Sequence, residues 1–129
     1  MRYLLDTNLI IDAVGGGMPA VKALEMAVKS EWVGYSAITR LELFGYPDLE
    51  LKEENALIAV IKEIEELNVT GIIVDLAIKI RKTMRIKTPD AIIAATALDM
   101  GATLITRNED DFKNIRGLLV LNPWNNETP

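Results

Sequence analysis

The sequence predicts an α/β fold with a parallel central sheet of about five strands flanked by helices. Short apolar runs alternate along the chain with longer segments whose apolar residues recur at helical spacing. Cap and stop residues stand at the junctions between them. Such alternation lays the strands parallel, with right-handed crossovers that place helices on both faces.

Residues 2–5 (RYLL) read as a buried first strand. A helix follows Asp6 and runs to Val14, stopped by Gly15, Gly16 and Gly17. Pro19 opens a second helix, with Val21, Leu24, Ala27 and Val28 on one side. Val33, Gly34 and Tyr35 form a second strand. Ser36 caps a helix over 37–45, for which Gly45 and Pro47 are stop signals. From Glu53 to Leu67 a stripe of Ala56, Leu57, Val60, Ile61, Ile64 and Leu67 predicts an amphipathic helix. Ile72, Ile73 and Val74 are expected as the third strand, with Asp75 capping a helix to Arg85. Thr88, Pro89 and Asp90 make a helix start: cap, proline, then an acid in the first turn. The helix they open, AIIAATALDM, is apolar almost all round and so should be buried; Gly101 ends it. Thr103–Thr106 and Leu118–Leu121 are the fourth and fifth strands. Residues 1–122 are expected to form a single domain and 123–129 a loose polar tail.

Composition narrows the chemistry. The 129 residues suit one domain with one core, and half of them are hydrophobic. There is no Cys, no His and no Gln. A thiol nucleophile, a thiolate metal site, an imidazole base and a histidine zinc site are therefore excluded. Catalysis must use carboxylates, hydroxyls, Lys, Arg, Tyr or an oxygen-bound metal. The net charge of −5 gives no overall basic surface, so a nucleic-acid ligand needs a local basic patch or a bound cation. The opening MRYLLDTNLIIDAV is broken by Asp6 and Asp12 and does not read as a signal peptide. No segment is long enough to span a bilayer, and the expected location is the cytoplasm. Gly15–Gly17 is not a phosphate-binding loop: it follows a helix, and no Gly-Lys-Ser/Thr comes after it.

The informative residues are acids. Ligands of such sheets bind outside the carboxyl ends of the strands, where Asp6 directly follows the first. Asp6 alone would equally be an ordinary N-cap. Glu42 lies mid-helix, four residues after the core-facing Ile38, and should point inward or along the edge of the core. A carboxylate there needs a cation, whether a metal or an arginine such as Arg40 or Arg81. Asp90 is favoured by its helix dipole, yet it too falls at the ligand edge. Asp110 and Asp111 follow the fourth strand and read either as turn residues or as contributors to that edge. Converging carboxylates repel one another, and a hard divalent cation relieves the cost.

The blocks LLDTN, SAITRLELFG, TPDAIIAATA and LITRNEDDF resemble, in order and spacing, the motif blocks of the PIN-domain family, and most of all its VapC-like branch of toxin ribonucleases. The resemblance covers nearly the whole chain. It implies the family's PIN-like three-layer fold and an acidic site of Asp6, Glu42, Asp90 and a fourth ligand. That fourth is best matched by Asp111, with Asn108 and Asp110 left open. Asn8 and Thr106 resemble the family's ligand-orienting polar residues. One or two Mg2+ or Mn2+ ions, hydrolysis of RNA to 5′-phosphate and 3′-hydroxyl ends, a small antitoxin partner and a homodimer are likewise implied.

For RNA, the stretch KIRKTMRIK holds five of the 14 Lys and Arg residues. Arg85 and Lys87, nearest Asp90, are the candidates to touch the phosphate backbone. Two rivals stand beside the nuclease reading. One is a catalytically silent PIN-like RNA- or protein-binding module. The other is a magnesium phosphatase of the haloacid-dehalogenase type, which wants an Asp where this chain has Asn8.

Overall fold

Five strands build the sheet of this protein, seen in a computed structural model that describes residues 1–126. In chain order the elements are β1 (Arg2–Leu5), α1 (Thr7–Val14), α2 (Met18–Val28), β2 (Trp32–Ser36), α3 (Ala37–Phe44), α4 (Leu51–Ile61) and β3 (Glu65–Leu67). They continue as α5 (Gly71–Thr83), α6 (Thr88–Met100), β4 (Thr103–Ile105), α7 (Glu109–Phe112), β5 (Val120–Leu121) and a 3-10 turn over Pro123–Asn126. Every strand pair is parallel and the spatial order is β3-β2-β1-β4-β5. The order reverses between β1 and β4, the switch point at which open α/β sheets bind ligands.

Side chains alternate across the strands and feed two cores. Leu4 and Leu104 point to one face, against α5, α6 and Phe112. Tyr3, Leu5 and Ile105 point to the other, against α1, α2, Leu43 and Leu57. α6 is buried as its composition predicts, with Ala91, Ile93, Ala94, Ala95, Thr96 and Ala97 all inaccessible. Gly101 closes it in the left-handed conformation (φ 59°), which an L side chain resists. Its first helical residue is Thr88 and its cap residue Lys87, one position earlier than the cap read from the sequence.

The third strand is a correction. Ile72–Val74 lies inside α5, and the strand is Glu65–Leu67. The Thr70 hydroxyl accepts the Ile73 N–H at 3.3 Å and starts the helix ahead of the β-branched run. Ile73, Ala77 and Ile80 then form a buried helical stripe, while Ile72 and Val74 are exposed. Tertiary packing against α6 outweighs the local strand preference. Glu65–Leu67 in turn continues the apolar rhythm of α4, yet it pairs with β2 as an edge strand, where charged side chains are well tolerated. The helix expected to reach Leu67 stops at Ile61, and the one expected to reach Arg85 stops at Thr83.

The first part of the tail has defined structure. Pro123–Asn126 form the 3-10 turn, and Trp124 packs against the core on the α1–α2 face. Residues 127–129 lie outside the described residues. No helix among the described residues is long and apolar enough to cross a membrane.

Candidate functional site

Asp6 sits where β1 ends and caps α1. The sheet places it beside the end of β4, so Thr106 approaches it from the neighbouring strand. Asp6 Oδ1 accepts the Thr7 N–H at 2.8 Å. Its Oδ2 accepts the Thr106 hydroxyl at 2.7 Å and the Asn8 Nδ2 at 3.0 Å. The residue is 4% exposed. Burial pushes its pKa up, against the pull of the Thr106, Thr7 and Asn8 hydrogen bonds, and the charge of Glu42 adds to the rise. The cap role and a site role thus coexist in one residue. Three donors leave one of the roughly four lone-pair positions of a carboxylate open.

Glu42 is exposed, not turned toward the core. The buried residues of α3 are Thr39 and Leu43, and that rotation brings Glu42 out at the rim. There its Oε1 accepts the Thr7 hydroxyl at 2.7 Å. Thr7 Oγ1 also lies 3.0 Å from Thr39 Oγ1. A hydroxyl has one proton, so with Thr7 donating to Glu42, the fully buried Thr39 donates to Thr7. Neither arginine weighed as a partner reaches Glu42. Arg40 pairs with Glu66, and Arg81 Nε donates to the Ile86 carbonyl at 3.2 Å.

Asp90, in the first turn of α6, is half-buried. Its pKa is pushed up to about 6, first by burial and then by the charges of Asp6, Asp111 and Glu42, with Lys87 pulling it down. Asp90 therefore lies within charge range of Asp6, Glu42 and Asp111. Asp110 is elsewhere: it pairs with Lys113 Nζ at 2.9 Å and is not among the charges acting on Asp90. Asn108 is exposed and uses its backbone N–H to bond Thr106 Oγ1 at 3.0 Å. Among the described residues, no Lys or Arg forms a salt bridge with any of the four acids.

Asn8 and Thr106 both touch Asp6, and Asn8 Nδ2 also lies 3.4 Å from Thr106 Oγ1. Arg85 and Lys87 are exposed between α5 and α6, and only Lys87 is near enough to act on Asp90. Thr7, Thr39 and Arg107 escaped the reading of the sequence. Thr39 stands three positions before Glu42 and so shares its side of α3, a pattern visible in the chain. Nothing separates it there from an ordinary helix threonine. Arg107 shows its place only through long-range contacts, a 3.2 Å ion pair to Asp12 and a hydrogen bond to Asn8.

The donors are all oxygens, as a hard cation requires. Among the described residues, no three acidic side chains form a ready-made metal-binding group. The oxygen donors suit a hard cation with water in part of its shell, not a closed protein cage.

The sequence matches the PIN domain family over residues 3–118. The chain belongs to the PIN-domain family. Similar solved structures place it in the VapC-like branch. The VapBC2 structure from Rickettsia felis, bound to a promoter DNA fragment, is 25% identical with a TM-score of 0.83, covering 95% of this chain and 98% of that one. A toxin–antitoxin complex from Klebsiella pneumoniae is 33% identical, with TM-score 0.79 and coverage of 94% and 97%. The VapBC-1 structure from Haemophilus influenzae is 26% identical, with TM-score 0.79 and coverage of 96% and 99%. No curated protein matches the sequence. Membership in this PIN branch makes the chain a nuclease as a class and leaves no place for the haloacid-dehalogenase alternative.

Proposed function

We propose that this PIN domain is a metal-dependent endoribonuclease and the toxin of a toxin–antitoxin pair. The observation that carries the reading is Asp90: a half-buried carboxylate raised by burial and then by Asp6, Asp111 and Glu42, with no salt bridge to a basic side chain among the described residues. A cation brought in from solution would stabilise such a group as an anion beyond the pull of Lys87.

Asp6, Glu42, Asp90 and Asp111 would hold one or two Mg2+ or Mn2+ ions. A bound ion of this kind supplies charge neutralisation at a phosphate and a more acidic water. The protein's own groups do the rest. Thr106 and Asn8 fix the Asp6 carboxylate, while Thr7 fixes Glu42. Lys87, with Arg85 beside it, attracts the phosphate backbone toward the acids. The water oxygen bonds to phosphorus as the bond to the 3′ oxygen breaks, so products carry a 5′-phosphate and a 3′-hydroxyl. Without histidine, a route through the 2′-hydroxyl with imidazole acid and base is closed.

The R. felis and H. influenzae structures are of VapBC pairs, which supports a small antitoxin partner here. An Arg or Lys of its tail would satisfy the unpaired carboxylates. A homodimer is also part of the proposal, supported by the exposed Ile72, Val74 and Ile78 on α5. The test is cleavage of single-stranded RNA with manganese, by the parent and by Asp6→Asn, with an EDTA control. Manganese-dependent cutting that Asp6→Asn abolishes is expected. Equal rates would overturn the site, and a parent inactive with manganese would leave a silent binding module.

A further inference from the structure

The family match ends at residue 118, yet side chains beyond it grip the turn that holds Asp6. Asn122 Nδ2 donates to the Arg107 carbonyl at 3.2 Å, and Asn122 Oδ1 accepts the Trp124 N–H at 3.0 Å. The Arg107 guanidinium lies over the Trp124 ring, 5.1 Å from its centroid. Asn125 donates to Glu109 Oε1 one turn further on. On its other side Arg107 pairs with Asp12 of α1 at 3.2 Å. The exposed Arg107 side chain thus bridges the 3-10 turn and α1.

Its backbone reaches the site. The Arg107 N–H donates to Asn8 Oδ1 at 3.0 Å. This bond decides which way the Asn8 amide faces. With its oxygen engaged by Arg107, the Asn8 NH2 group must point to Asp6 Oδ2. The flipped amide would set its oxygen against the carboxylate and leave the Arg107 N–H without an acceptor. Thr106, the residue before Arg107, donates to the same Asp6 oxygen, so one short turn supplies both contacts.

We propose that Trp124, acting through Arg107, is a positioning residue for the Asp6 carboxylate. The inference rests on the nuclease reading for its catalytic consequence. It places part of the machinery in the C-terminal segment, outside the matched motif blocks. Trp124 also packs against the core, so removing it outright would mix two effects. Trp124→Leu keeps apolar bulk and loses the ring face. Trp124→Phe keeps a ring face. Arg107→Met reaches the same contact from the cationic side without touching the core.

Two readouts separate this role from the nuclease reading. One is hydrogen exchange of the Arg107 backbone N–H in the full chain. The other is kcat and KM for RNA cleavage with manganese. Trp124→Leu is expected to speed Arg107 exchange and to lower kcat, each about threefold, with KM unchanged, as the loss of an exposed cation–π contact dictates. Trp124→Phe should restore both. Trp124→Leu combined with Arg107→Met should be no worse than Arg107→Met alone, because both remove one contact. Unmoved Arg107 exchange in Trp124→Leu would overturn the proposal, as would faster exchange at an unchanged kcat or a rise in KM alone. Cleavage absent from the parent with either ion sinks the nuclease reading and this role together. An active parent with unmoved exchange sinks only this role.

Discussion

The two ends of the acidic cluster are built differently. Asp6 is 4% exposed and held by three donors, two from α1 and one from the turn after β4. Glu42 stands exposed on α3, held by one hydroxyl. The buried end is fixed by the sheet, whose register sets Asp6 beside Thr106 before any ligand arrives. The exposed end is left free to adjust. A hydrated hard cation suits that asymmetry: one anchored carboxylate sets its place, and the outer acids and water complete its shell. Rigidity is concentrated at the switch point of the sheet, where the backbone already provides it.

The largest effect should come from the anchored end. Asp6→Asn keeps the shape but removes the charge, and cleavage is expected to fall by at least about a hundredfold, beyond the usual cost of losing an outer-shell partner. Single-turnover rates with manganese measure this. A loss below tenfold would mean that the anchored acid is not where the ion binds.

The contrast between the ends sharpens when each loses its supporting hydroxyl. Thr106→Val removes a donor from a carboxylate that is only 4% exposed. Manganese affinity, read by titration calorimetry, should weaken about 10–100-fold. Stability should fall by about 1–3 kcal/mol in urea unfolding. Thr7→Val removes the hydroxyl that donates to Glu42 at the exposed end, where water can replace it. A change below about threefold in affinity is expected there. Similar losses for the two variants would erase the distinction between the ends.

Most of the fold and half of this distinction are legible in the chain. Alternating apolar runs show the layered sheet, and the residue after the first strand has to stand at the ligand edge. Asp90 follows a proline helix start and could be placed the same way. The third strand was not legible. Ile72–Val74 has strand-forming residues, but its burial is decided by α6, a long-range partner. Glu42 was expected at or inside the core edge, because Ile38 four residues earlier suggested a shared face. Thr39 and Leu43 hold the buried side instead. Asp110 and Asp111 are neighbours on a one-turn helix, and only long-range contacts distinguish them. Lys113 pairs with Asp110, while the charge of Asp111 acts on Asp90. Arg107 and Trp124 carry no local signal, since their roles exist only across the fold.

Proton binding gives a smaller effect with a definite sign. Asp90 titrates near 6 in the folded chain, against 3.8 for an ordinary aspartate. A raised carboxyl means that the folded state holds the proton more tightly. Its contribution favours folding below the ordinary value and is lost as pH rises through about 6. In the metal-free protein the melting temperature should therefore drop between pH 4 and pH 7 by more than in Asp90→Asn. Asp6, also raised by burial, contributes in the same direction. Magnesium competes with those protons, so its stabilisation should grow over the same interval. Scanning calorimetry with and without magnesium checks both. A slope unchanged by Asp90→Asn would show that Asp90 does not bear the strain of the cluster.

The smallest effect concerns how RNA reaches the two ends. Lys87 precedes α6 and its charge is felt at Asp90, while Arg85 lies two residues earlier and is not among the groups acting there. A phosphate contact releases roughly one counterion per neutralised charge. Lys87→Ala should lower RNA affinity and flatten the slope of log affinity against log salt by about 0.7, the single-strand value. Arg85→Ala should change that slope by less. Fluorescence anisotropy in EDTA, which separates binding from cutting, reads both slopes. If Arg85→Ala has the larger effect, the RNA path runs over the end of α5, away from the anchored carboxylate. If neither moves the slope, the basic stretch is a solvated helix end whose charges answer the dipole of α5.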